Sequence, residues 1–425
     1  AFYHLKKNKI LNKVYELDLK KFSNKKKKLN FRHLIDFFFK HLDFKKNKTF
    51  IHNSGMNIVN EFFLNILLIQ IPRFYKDDYS KIFHINDKKR NLLNNEFKKN
   101  HLIKNDNFLN FLIDIIPNQL PLNLFEGYKF CKKLSINQGY PQKPKVIFTS
   151  NSFDTNEMFK FYTANMVDRK DPSKYIVGQH GNSYNINIAN TFLTELKTSD
   201  KFINWGIKKK NQISFCNFIS KPEKYSNLNR KYLLIILRSK GLKYSIWDRE
   251  LHTKYYENYL IKFLNGIDFN KVNNILIKPH FSHDLNNVFF KKLKLNYPNI
   301  KFLDPQFKIS KILKYCKLVV YNYDGTSYLQ LLSSNFPTMA FWPGNDNHVV
   351  KEMMKSYKIL KKSFLWSSNP IDISNIINKH WNNFEKWWFN KKRQKSLESV
   401  RKNLCKPRQS LFLFKLTKII KHYYH

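Results

Sequence analysis

The chain has 425 residues, of which 76 are Lys or Arg and 31 are Asp or Glu, giving a formal charge of +45. With 42% hydrophobic and 16% aromatic residues it can bury a core, which excludes a disordered basic tail, and its length suits two domains. Two readings of the charge stay open: a genome that favours Lys and Asn, and a polyanionic partner such as membrane headgroups, nucleic acid or nucleotide phosphates.

Residues 1 to about 140 read as helix and loop, with a Lys25 to Lys28 run, Pro punctuation at Pro117 and Pro121, and no clean strand alternation. The longest apolar runs, such as Phe62 to Ile69, are about half of the roughly 20 residues that span a bilayer, so no transmembrane helix is expected. No apolar signal-peptide core follows the N-terminus, although the chain starts at Ala1 and not at Met. Four widely spaced cysteines, Cys131, Cys216, Cys316 and Cys405, disfavour a disulfide framework and a zinc site and fit a reducing cytoplasm.

From Lys145 onward, short β-branched or aromatic runs alternate with helix-length segments, the signature of βαβ units. A first series holds Val146 to Thr149, a helical stretch from Asp154 to about Met166, Tyr175 to Gly178, and Phe202 to Trp205. The polar stretch Ser220 to Asn229 reads as a linker. A second series holds Tyr232 to Leu237, Ile275 to Ile277, Leu318 to Tyr321 and Thr338 to Phe341. Its runs are almost continuously apolar, as in a parallel sheet covered on both faces. The expected fold class is therefore α/β, two Rossmann-like domains with a helix-rich N-terminal region and a C-terminal amphipathic helix. Boundaries are expected at 1–219, 220–385 and 386–425. No GxGxxG fingerprint or GxxxxGK[ST] loop is present, against classical NAD binding and P-loop chemistry.

In doubly wound folds ligands sit beyond the carboxyl ends of strands, so the residues after each run carry the functional reading. Asp324-Gly325-Thr326-Ser327 offers backbone N–H groups, hydroxyls and a helix dipole to one anion; the plainer alternative is an ordinary helix cap. Lys278-Pro279-His280 presents a cation and a titratable imidazole, or else a loop His satisfied by backbone. Gln179-His180-Gly181 is the sharpest motif, a His beside a permissive Gly that can serve acid/base transfer or simply occupy a turn. Ser150, Asn151 and Tyr184 flank these loops as candidate substrate contacts. Asp154 and Glu157 are candidate general bases, although the helix dipole favours carboxylates there in any case. Histidine spacing gives no set of metal ligands.

Thr149-Ser150, Gln179-His180-Gly181, Trp205-Gly206, Asn335-Phe336-Pro337-Thr338, Phe341-Trp342 and Trp387-Trp388, in that order, resemble a family of bacterial transferases encoded with nonulosonic-acid biosynthesis genes. These are GT-B glycosyltransferases of surface-polysaccharide assembly, and the resemblance covers about Lys145 to Leu404. Asn182 departs from it where a second Gly is common, and Lys278-Pro279-His280 is closer to the His-Pro element of enzymes that use CMP-sialic acid. The resemblance implies two domains facing a cleft, with acceptor-side residues before 220 and donor-side residues from 220 to 385. It further implies that Lys278, His280, Gly325, Thr326 and Ser327 hold a CMP-activated donor, which is a co-substrate, with no cofactor. His180, with Asp154 or Glu157, would face a glycan or lipid-linked acceptor near Ser150, Asn151, Gln179, Gly181 and Tyr184. Other donors, namely CMP-Kdo, a nucleoside-diphosphate sugar or CDP-glycerol, remain alternatives.

The tail from Arg401 to His425 interleaves Phe, Leu and Ile with Lys, as does a helix lying on anionic lipid at the inner face of the cytoplasmic membrane or a terminal helix packed on the protein. A nucleic-acid-binding protein is the contrasting non-enzyme reading, but no groove-reading or base-stacking signature accompanies the charge.

Overall fold

The computed structural model describes residues 39, 41–75, 83–101, 106–188, 193–219, 225, 230–239, 253–344 and 346–424. The Lys25 to Lys28 run and, apart from Tyr225, the expected linker lie outside the described residues. The protein is α/β with parallel sheets, and its described residues divide into two compact units, 30–178 with 413–425, and 179–412.

In the first unit β1 (Thr49–Ile51), β2 (Val146–Thr149) and β3 (Lys174–Gly178) pair in parallel, with β2 central. β1 lies within the region expected to be helix and loop. At three residues, all buried, it is too short to show alternation. Its Phe50 ring sits 4.6 Å from that of Tyr140 and 4.8 Å from that of Tyr162, so the strand is fixed by aromatic packing. Helices Ile58–Leu67, Asp87–His101, Asn107–Gln119 and Tyr128–Ile136 fill the connection from β1 to β2. Buried Arg90 and Glu126 join them: Arg90 Nε and Nη2 donate to the Glu126 carboxylate at 2.7 and 2.8 Å, and Nη1 donates to the carbonyls of Pro117 and Asn118. The terminal helix Phe412–Lys421 completes this unit from residue 413 onward. Leu416 and Ile420 are fully buried and Tyr424 Oη meets Thr49 Oγ1 of β1 at 2.7 Å, which spends the core of the apolar stripe on protein.

The second unit holds the parallel pair β4 (Lys201–Asn204) and β5 (Gln212–Ser214), then a six-stranded sheet. Its strands are β6 (Tyr232–Ile236), β7 (Ile275–Lys278), β8 (Lys301–Phe302), β9 (Cys316–Tyr321), β10 (Thr338–Phe341) and β11 (Trp366–Ser367). They lie in the order β11-β10-β9-β6-β7-β8, and every pair is parallel. Counted from β6 this is 3-2-1-4-5-6, the Rossmann order, and the direction of winding reverses between β6 and β9. Leu233 to Ile236 and Leu318 to Tyr321 are buried throughout, which explains their unbroken apolar character. Asparagine, abundant in the sequence, begins helices here: Asn287, Asn369 and Asn390 each accept a first-turn N–H, as Asn57 and Asn156 do in the first unit. Among the described residues no helix is long and apolar enough to cross a membrane, and all four cysteines are buried and unbridged.

Candidate functional site

The second unit gathers its chemistry at the carboxyl ends of the neighbouring strands β7, β6 and β9, where the turn after β9 meets the loop that follows β3. That loop is shaped by Gln179, which is buried. Its Nε2 donates to the Gly181 carbonyl at 2.7 Å and its Oε1 accepts from the Trp205 backbone N–H at 2.9 Å, so both ends of the amide hold the turn.

The loop is then fastened to the turn after β9. Asn182 backbone N–H donates to Thr326 Oγ1 at 3.1 Å, and Asn182 Nδ2 lies 3.2 Å from both the carbonyl and Oδ1 of Asp324. A Cβ on Gly181 would stand 3.5 Å from Thr326 Oγ1, so this glycine also lies against the turn. Asn182, the departure from the resembled pattern, is thus the residue that brings Gln179-His180-Gly181 to Asp324-Gly325-Thr326. Asp324 is the hub: its Oδ2 accepts from His348 Nε2 at 2.9 Å and from the Tyr357 hydroxyl, while burial and the carboxylate together raise the Tyr357 phenol well above its usual range. Backbone bonds from Ile188 N–H to the His348 carbonyl and from Val350 N–H to the Ile186 carbonyl, each 2.8 Å, tie the same segments.

His180 Nδ1 lies 3.2 Å from the Tyr184 hydroxyl, which donates to Glu195 Oε1 at 2.6 Å. With its proton committed to the carboxylate, the phenol oxygen accepts from Nδ1–H. The neutral imidazole then carries its lone pair on Nε2, the form a general base requires. Tyr184 and Glu195, the hydrogen-bond partners next to His180, are both buried.

Helix Thr326–Ser333 starts at Gly325 with no side-chain cap, leaving its first N–H groups to an incoming anion. Gly325 is required by contact, since a Cβ there would lie 2.2 Å from the Tyr323 ring. At the end of β7, Lys278 Nζ donates to the carbonyls of Pro279 at 2.6 Å and Pro305 at 2.8 Å, so the ammonium ties β7 to the loop after β8. Burial holds its pKa below the usual value. His280 Nδ1 accepts from Ser282 N–H at 3.2 Å and faces Ser282 Oγ at 2.9 Å, which puts the ring hydrogen on Nε2, and its ring leans on Phe281. Burial, then His283 and Lys278, lower its pKa.

Arg238, at the end of β6, was missed, although the strand-end rule reaches it. Its N–H donates to Asn322 Oδ1 at 2.8 Å and its carbonyl accepts from His283 Nε2 at 2.7 Å, across the point where the sheet reverses. Its guanidinium lies 4.7 Å from the Tyr256 ring centroid, and a narrow pocket lined by Arg238, Tyr256, Glu257, His283 and Asn322 opens there. Glu195 was missed as well, and no spacing or motif announces it.

Four expected residues belong to the first unit. Ser150 is fully buried, with its hydroxyl donated to the Ser54 carbonyl at 2.7 Å. Asn151 N–H faces Thr149 Oγ1 at 3.3 Å, Asp154 is exposed, and Glu157 is paired with Lys160 at 2.7 Å. Among the described residues no three His, Cys, Asp or Glu side chains cluster so as to hold a metal ion.

The pattern of the LIC12162 family transferase matches residues 2–409. The chain belongs to this transferase family. No curated protein matches the transferase in sequence. Solved structures similar to it include a glycosyltransferase from Rickettsia africae, at 12% identity over 89% of this chain and 98% of that one, with a TM-score of 0.44. The wall teichoic acid polymerase TagF soaked with CDPG shares 10% identity over 92% and 93% of the two chains, with a TM-score of 0.38. TarM of S. aureus, in complex with UDP among other ligands, shares 13% identity at a TM-score of 0.38, and the transferase covers 66% of itself but 54% of that chain.

Proposed function

We propose that the transferase is a glycosyltransferase of GT-B type that moves a nonulosonic acid from a CMP-activated donor to a hydroxyl of a glycan or lipid-linked acceptor. The observation that carries this reading is the Asn182 fastening, which ties the loop, two residues after His180, to the uncapped start of helix Thr326–Ser333. A base and an anion site are the two halves of a transfer from a nucleotide-linked sugar. In the proposed reaction the acceptor hydroxyl loses its proton to His180 Nε2, its oxygen bonds the anomeric carbon, and the bond from that carbon to the phosphate oxygen of CMP breaks. Glu195, through Tyr184, stabilises the imidazolium. The departing nucleoside monophosphate is received by the N–H groups of Thr326 and Ser327, with Arg238 and His280 on neighbouring strand ends as donor contacts.

His180 is preferred as base over Asp154 and Glu157, because Glu157 is already paired with Lys160 and Asp154 is exposed to solvent. In this proposal residues 220–385 are the donor domain and residues before 220 face the acceptor.

A thermal shift series with CMP, CDP and UDP tests the donor class. Stabilisation by CMP exceeding that by CDP or UDP is expected, and no response to a cytidine nucleotide would rule out the CMP reading. Release of CMP from a CMP-activated nonulosonic acid should fall about 10²- to 10⁴-fold in His180→Ala, with CMP stabilisation retained; an unchanged rate would remove His180 from the chemistry.

A further inference from the structure

Helix Thr326–Ser333 ends in a second polar feature, remote in sequence from the donor-side turn. Asn335, at φ +56°, reverses the chain after the helix, and Trp388 Nε1 fixes it by lying 3.3 Å from both its carbonyl and its Oδ1. Two segments of the resemblance, Asn335-Phe336-Pro337-Thr338 and Trp387-Trp388, therefore meet at a place that sugar transfer does not use. A cavity of about 260 Å³ opens beside them, lined by Ser333, Ser334, Asn335, Asn217, Arg401 and Arg408, and no acidic side chain lines it.

The two arginines are held in place and their charge is unspent. Asn217 N–H donates to the Lys406 carbonyl at 2.9 Å and its Nδ2 lies 3.5 Å from Cys405 Sγ, which anchors the loop that carries Arg408. Arg408 stacks on Phe412 at 4.7 Å, and its Nη1 is buried with no hydrogen-bond acceptor among the described residues. Arg401 Nε donates to the Leu397 carbonyl at 3.3 Å. Burial lowers the pKa of both guanidinium groups, and Glu398 only partly offsets this for Arg401. A buried N–H of a charged group with no acceptor is rare in a folded protein and calls for a missing partner.

The end of the helix is not that partner. The carbonyls of Gln330, Leu331 and Leu332 already accept from the backbone N–H groups of Ser334, Phe336 and Asn335. The helix dipole places about half a negative charge here, against two full positive charges.

We propose that this cavity is an anion-binding site for a phosphoryl group, gripped by the Arg401 and Arg408 guanidinium forks with Ser333, Ser334 and Asn335 as further donors. Guanidinium geometry suits phosphate oxygens in pairs, and the volume admits the phosphoryl group with part of its substituent. Because its residues are separate from those of the proposed donor site, the inference stands independently of the CMP reading.

The test is calorimetric titration of the full chain with inorganic phosphate, in wild type, Arg401→Gln/Arg408→Gln and Thr326→Val. An arginine-dependent binding component is expected, at least about tenfold weaker in the double variant and retained in Thr326→Val. Vesicles of phosphatidylglycerol, compared with phosphatidylcholine, identify the source: arginine-dependent vesicle binding indicates a lipid headgroup, and its absence alongside phosphate binding indicates a free phosphorylated molecule. Crystals of the wild-type chain soaked in tungstate should show anomalous density between the two guanidinium groups, which keeps the test independent of how the variants fold. An unchanged phosphate affinity in the double variant, or a cavity without tungstate, overturns the proposal.

Discussion

Asp324→Asn tests the central joint of the candidate site. The wild-type carboxylate accepts from Tyr357, from His348 at 2.9 Å and from Asn182 at 3.2 Å, with only 10% of its side chain exposed. Hydrogen bonds to a charged group contribute about 1.5–3 kcal/mol each, so the gross interaction is roughly 5–9 kcal/mol. An asparagine keeps one oxygen but turns an NH₂ toward either Asn182 or the Tyr357 and His348 donors. One or two of the three contacts survive, and at least one becomes a donor facing a donor. Breaking a buried charged interaction in this way costs about 3–5 kcal/mol. At about 2–4 °C per kcal/mol for a unit of this size, the melting temperature should drop by roughly 6–20 °C. Differential scanning calorimetry of wild type, Asp324→Asn, Tyr357→Phe and the double variant measures this, with a coupling energy above about 1 kcal/mol expected between the two positions. A shift below about 2 °C with additive single variants would refute the claim that Asp324 holds the loops together.

Glu195→Gln exchanges a charged acceptor for a neutral one behind His180, a loss of about 1–1.5 kcal/mol that predicts a roughly tenfold lower kcat with donor KM unchanged; an unaltered kcat would break the proposed relay. The Arg90 hydrogen bonds, aided by the Asn86 N–H, hold Glu126 down at about 2. Being depressed, its contribution is complete above the unfolded value of about 4.3 and is lost as pH falls toward 2. Melting curves from pH 5 to pH 2 should therefore steepen in wild type relative to Glu126→Gln, and parallel curves would contradict the pairing. For His280 the folded pKa is likewise lowered and the slope has the same sign, in a higher window: the unfolded chain takes up its proton first as pH falls through about 6.5. His280→Asn should lose less thermal stability than wild type between pH 7 and pH 5.5, and an identical profile would show the ring to be unperturbed. Leu416→Ala, at a fully buried position, should cost about 2–5 kcal/mol, read by urea denaturation; a loss under about 0.5 kcal/mol would mean that the terminal helix is not part of the core.

The strands β6, β7, β9 and β10 were legible because burial on both faces leaves no polar position to interrupt them, and their ends marked the loops of the candidate site. β1, β5, β8 and β11 have two or three residues each and cannot express a period. Side-chain direction was the harder part. Lys278 follows an apolar run just as a ligand-binding cation would, yet the Pro279 and Pro305 carbonyls capture it, a contact that requires the loop after β8 to be in place. Asn182 looked like a defect in a glycine pattern, because its amide finds its partners 142 residues away. Glu195 carries no local signal, since its function depends on Tyr184 being folded against it.

The return of residues 413–425 to the unit built from 30–178 has a consequence for synthesis. Tyr424 leaves the ribosome 375 residues after its partner Thr49. At about 5–20 residues per second, the unit 30–178 waits roughly 12–50 s for the helix Phe412–Lys421. During that interval the surface later covered by Leu416 and Ile420 stands open, so its protection falls to chaperones or to translation speed, and a nascent chain stalled before Leu413 should be the most protease-sensitive form of this protein.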